Sequence, residues 1–184
     1  MIDDIIRPTA FQTGEIICES LFNFPFTSFI RASEELYLKA NVTRINYLNE
    51  LFLLTAVALI YAVRSAKVSN EIIDEVIKGF LSKLTFSKTE MAAFAIRNID
   101  EVCPYYAEAN QDDLDKPKNS GDLSDIYMAF GDRILLLYGE ETEERGNACA
   151  LLTMMLPKAL WVANFNAAKE TLEWSGLLSA SQSS

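Results

Sequence analysis

Apolar residues recur along most of this chain at helical spacing. Ile72, Ile73, Val76, Ile77, Phe80, Leu81 and Leu84 fall at intervals of three and four, which marks one face of a helix. Ser69 stands at its start as an N-cap. Upstream, residues 51–63 contain a single polar side chain, Thr55. That run is apolar around its whole circumference, the mark of a helix buried on most sides. It predicts a central helix over about 43–67.

The other segments are punctuated in the same way. A first helix is predicted over about 13–22, ending before Pro25, because a residue preceding proline is pushed out of the α region. Phe22, Phe24 and Phe26 follow as core plugs, and a helix over about 27–40 carries Phe29, Leu36, Tyr37 and Ala40 on one face. Ser87–Glu90 reads SKTE, a capping box. It opens a helix bearing Met91, Phe94, Ala95, Ile99 and Val102, expected to stop or kink at Pro104. Residues 107–122 are polar, with Pro, Asn, Ser and Gly among them, and read as one long loop. Asp122 or Ser124 then caps a helix lined by Ile126, Tyr127, Phe130, Ile134, Leu135 and Tyr138, with a break near Gly139. A last helix spans about 142–174, its first turn rich in acids that complement the helix dipole, and kinks at Pro157.

No alternating strand pattern and no internal repeat stands out. The expected fold is all-α: a single-domain, orthogonal or bundle-like array of six to eight helices. Its two largely buried members are the helices at 43–67 and 142–174. The domain covers 1–177, with 178–184 as a disordered tail.

A membrane span is the competing reading of the most apolar run. Thirteen helical residues cover ~20 Å, against a bilayer core of ~30 Å. Asn46, Asn49 and Glu50 bound the run on one side, Arg64 and Lys67 on the other. The segment from Ala148 to Phe165 is interrupted by Pro157 and Lys158. No membrane span is expected. The start, MIDDIIRPTA, lacks the basic and apolar regions of a signal peptide, so a cytoplasmic location is expected.

Composition narrows the chemistry. The chain of 184 residues has 26 acidic against 16 basic side chains, a net charge of −10. Such a surface repels nucleic acid and favours basic partners. There is no histidine. That removes Ser-His-Asp and Cys-His catalysis and any His-ligated metal or haem. Cys18, Cys103 and Cys149 are far apart and form no C-x-x-C, which reads as buried, reduced thiols. Cys103, beside Pro104, Tyr105 and Tyr106, looks the least buried. Phosphate-binding glycine loops are missing as well.

Acidic clusters give the remaining candidates. An EF-hand starting at Asp113 would place Pro117, Lys118 and Ser124 at positions five, six and twelve, which fails. The DDLDK run only partly matches the aspartate-rich magnesium motif of isoprenoid synthases. Glu71–Asp74 offers one Glu-x-x-Asp motif of the kind all-α pyrophosphohydrolases use, without its matching partner. No catalytic residue, metal ligand or cofactor is therefore assigned.

The expected function is a non-enzymatic acidic inhibitor or binding protein. By analogy of composition, it would act like a toxin-neutralising immunity protein covering a basic surface of a toxin or nucleic-acid enzyme. The expected contacts are Glu108, Asp112, Asp113, Asp115, Asp122 and Asp125 around the loop, and Glu140, Glu141, Glu143 and Glu144 beyond the next helix. Two alternatives stand beside it. One is a small helical enzyme or ligand-binding bundle with a carboxylate-held divalent metal. The other is a helical regulatory or adaptor domain that forms a homodimer through an apolar face.

Overall fold

The computed structural model describes residues 7–23, 42–115, 125–138 and 157–178. Every regular element among them is an α-helix: α1 (Ala10–Asn23), α2 (Arg44–Arg64), α3 (Asn70–Phe86), α4 (Glu90–Asp115), α5 (Asp125–Tyr138) and α6 (Pro157–Trp174). They pack as a bundle-like array around α2, which touches each of the other five. The expected helix over 27–40, the break near Gly139, the segment before Pro157 and residues 179–184 of the expected tail lie outside the described residues, while Leu178, expected to begin that tail, is buried in the core.

Local signals set most helix ends. Thr9 and Gln12 cap α1 reciprocally, with the Gln12 amide donating to Thr9 Oγ1 at 3.2 Å and the Thr9 amide to Gln12 Oε1 at 3.0 Å. This is the T-x-x-Q form of a capping box, and it starts α1 three residues earlier than the apolar pattern suggested. Thr43 and Ser69 accept from the amides of Asn46 and Ile72 and cap α2 and α3. Ser87, expected to cap α4, instead closes the end of α3. Thr89 takes the role, accepting from the Ala92 amide at 3.2 Å. Between them Lys88 adopts a left-handed backbone, φ +53°. At the far end α6 closes in a Schellman motif: Leu177 N donates to Leu172 O and Gly176 N to Glu173 O, with Gly176 at φ +76°.

Residues 50–60 of α2 are all buried. At 21 residues α2 is ~31 Å long, so length and composition alone would let it cross a membrane. Yet 72 % of its apolar window is packed inside the protein, the setting of a core helix. Glu50, which reads in sequence as the polar boundary of the apolar run, is itself in the core at 1 % exposure.

α1 and α3 make the most intimate pairing, and two glycines permit it. A methyl group on Gly14 would overlap the Val76 carbonyl oxygen and come within 2.8 Å of Phe80 N; one on Gly79 would overlap the Phe11 carbonyl oxygen. Val76, Phe80 and Leu84 of α3 are buried, and Ile72, Ile73, Ile77 and Leu81 pack at the core's edge, as the periodicity predicts. Phe22 does not plug the core fully: it is 38 % exposed, with its ring 5.8 Å from that of Phe52.

α4 departs most from expectation. It runs unbroken through Pro104 to Asp115, so residues 107–115 are helix rather than loop. Proline in a helix removes one amide and frees the carbonyl four residues back. Here Pro104 lies on the exposed side, beside exposed Asp100, where water can satisfy that carbonyl. The opposite side is fastened to the core by Ile99, Val102, Cys103 and Tyr106. Helices in proteins gain most of their stability from such packing, and it outweighs the proline here. Cys103, at 3 % exposure, is therefore buried and not the accessible thiol its neighbours suggested.

Candidate functional site

The extension of α4 changes what the acidic residues are. Glu101, Tyr105 and Glu108 sit at i, i+4 and i+7 on its exposed side. The register continues through positions 112 and 115 at i+11 and i+14, so five residues share one stripe roughly 80° wide. Four of the five are acidic, and they span ~21 Å of helix. Of the residues expected at the partner surface, Glu108 is exposed on this stripe, Asp112, Asp113 and Asp115 belong to the last turns of α4, and Asp125 opens α5. Asp122, Glu140, Glu141, Glu143 and Glu144 lie outside the described residues.

Beside the stripe, α4 and α5 enclose a cleft of about 380 Å³ lined by Glu101, Val102, Tyr105, Asp132 and Arg133. Tyr105 is held across it: its hydroxyl donates to the Ala129 carbonyl at 3.0 Å, leaving the residue 41 % exposed. Burial raises the Tyr105 pKa, and the Asp132 charge adds to the rise against Arg133.

The inner wall rests on an ion pair. Arg133 Nε donates to Glu50 Oε2 at 2.7 Å and Nη2 to Oε1 at 3.5 Å. The Glu50 side chain is fully buried and that of Arg133 only 12 % exposed. Such a pair persists because either charge alone would be far more costly in the core. The buried Tyr106 ring packs edge-on against Tyr105, with centroids 5.4 Å apart. Its hydroxyl has no hydrogen-bond partner among the described residues. Burial holds its pKa well above the ordinary tyrosine value, Glu50 pushes the same way, and Arg133 opposes.

Tyr106 also meets Trp161, whose indole N–H donates to Asn110 Oδ1 at 2.9 Å. Trp161 in turn stacks near Tyr61, with centroids 5.7 Å apart. This aromatic seam locks the second half of α4 to α2 and α6, which explains how a polar segment remains helical.

The sequence reading missed Glu50, Glu101, Tyr105, Asp132 and Arg133. One signal was present: a lone carboxylate at the edge of an apolar run, with an arginine inside the apolar pattern of α5. Which pairs with which is decided by the fold. Cys103 receives a hydrogen bond from Arg64 Nη1 at 3.3 Å. Burial nonetheless raises its pKa more than Arg64 lowers it, so the thiol form prevails. Among the described residues, no three of Cys, Asp and Glu converge as a metal-binding set.

No protein-family model matches the chain, and no curated protein or solved structure shows significant similarity to it. The fold is an all-α array in which Glu101 and Glu108 are exposed on one long helix, with positions 112 and 115 in the same register.

Proposed function

We propose that the chain is a non-enzymatic, acidic binding protein that covers a basic surface on a partner protein, in the manner of a toxin-neutralising immunity protein or an inhibitor of a nucleic-acid enzyme in the cytoplasm. The observation that carries this reading is the acidic stripe of α4. A helix holds these positions in one register, and a segment already helical loses less conformational entropy on binding than a loop does. Complementary charge speeds encounter and sets orientation. The contact surface is accordingly centred on Glu101, Glu108, Asp112 and Asp115, with Asp113 and Asp125 at its margins.

Tagged protein and its Glu108→Lys/Asp112→Lys variant are used to capture partners from the native host's lysate at low and moderate salt. The reading expects one basic protein, held at low salt, released as salt rises and lost by the variant. Recovery of the tagged protein alone at both salts would refute it.

A further inference from the structure

We infer that the α4–α5 cleft is an anchoring pocket for an arginine side chain of the basic partner, a deepening that rests on the function proposed above. Three features of the cleft select this occupant. Its rim carries Glu101 and Asp132, neither of which makes a salt bridge among the described residues. Among the described residues the cation in its wall is Arg133, which is already engaged through two nitrogens by the buried carboxylate of Glu50. Among the described residues the two rim carboxylates are thus uncompensated, and the cleft favours positive charge. The third feature is the Tyr105 ring, pinned by its hydroxyl to Ala129 and part-exposed at the cleft.

A guanidinium is suited to this combination. It is planar, always charged, stacks on aromatic faces and binds carboxylates through paired N–H groups. A lysine ammonium lacks the planar stacking surface and is more strongly hydrated, so it fits the ring wall less well. At about 380 Å³ the cleft falls within the usual size of small-ligand sites and has room for the side chain with its stem along Val102. Two other clefts lack these features. The cleft at the start of α1 carries two cations, Arg7 and Lys83, against two acids, Glu15 and Glu19, with Lys83 and Glu19 paired at 2.7 Å, so its lining charges balance. The cleft between Phe22 and Phe86 sets one acid, Glu15, against one cation, Lys83, and nothing there names an occupant.

The test is an NMR titration of the whole protein with N-acetyl-arginine amide, against the lysine and citrulline analogues. Binding of one arginine is expected in the millimolar range. Saturable shifts should centre on Glu101, Val102, Tyr105, Asp132 and the Arg133 Nε–H. Citrulline, equal in shape but uncharged, should bind at least fivefold more weakly, with lysine between the two. Glu101→Gln/Asp132→Asn alters only exposed carboxylates and should abolish the shifts with an unchanged circular dichroism spectrum; Tyr105→Leu should weaken them severalfold. Shifts scattered over all acidic residues, no saturation, equal binding of citrulline or an unaffected double variant would each overturn the pocket. The lysate capture separates the two ideas. A basic partner held equally by Glu101→Gln/Asp132→Asn sinks the anchor and leaves the acidic-surface reading. A titrating cleft in a protein that captures no basic partner does the reverse.

Discussion

Replacing Arg133 by methionine isolates the most consequential interaction in the core. The substitution keeps an unbranched, apolar stem of similar reach, so loss of packing is small. What it removes is the guanidinium facing Glu50, whose side chain is fully buried. Breaking a buried pair from one side costs about 3–5 kcal/mol, because the remaining charge stays in a low-dielectric setting. Against a total stability of about 5–15 kcal/mol for a domain, that is a large share. For a chain of this size it corresponds to a fall in Tm of roughly 6–20 °C. The informative comparison is the double replacement Glu50→Met/Arg133→Met. It removes both charges and should recover part of the loss, since apolar replacement of both members of a buried pair is often neutral or better. Urea denaturation followed by circular dichroism gives the four corners of the cycle. If Arg133→Met costs under about 1 kcal/mol, or if the two single losses simply add, the pair is not the buried, mutually dependent unit argued here.

Gly14→Ala or Gly79→Ala should each destabilise the fold by about 1–3 kcal/mol, despite a gain of about 1 kcal/mol in helix propensity; the new methyl meets backbone of the facing helix, which no rotamer change relieves, and chemical denaturation reads the sign directly. Lys88→Gly should stabilise by about 0.5–1 kcal/mol, by removing a Cβ from a left-handed backbone position; no gain in Tm would mean that the strain is absorbed elsewhere. Burial pushes the Cys18 thiol from 9.0 up to about 12. The folded state therefore keeps its proton while the unfolded thiol ionises, so stability is complete below pH 9 and falls as pH rises toward 12, by up to about 1.4 kcal/mol per pH unit. Cys18→Ala should flatten that part of the stability profile, and an unchanged slope would contradict the assignment.

The helical class of this protein, its most buried helix and the core faces of α3 and α4 follow from residue spacing alone, because a period near 3.6 can bury one side only as a helix. Caps at Thr43 and Ser69 are equally local, since a side-chain oxygen reaches an amide three residues on whatever the rest of the chain does. Other features depend on what lies opposite. Pro104 and the polar residues after it suggest a break; the seam of Tyr106, Trp161 and Tyr61 keeps α4 helical beyond that point. Gly14 and Gly79 look like helix weaknesses until each is seen against the backbone of the other's helix. Glu50 looks like the polar end of an apolar run until Arg133, 83 residues away, closes on it. The α4 carboxylates were visible as acids, but only a continuous helix puts them in line, and only the approach of α5 brings Asp132 and Arg133 to Tyr105. Local sequence sets period and capping over a few residues; the tertiary contacts decide which charges are buried, which are paired and which face a partner.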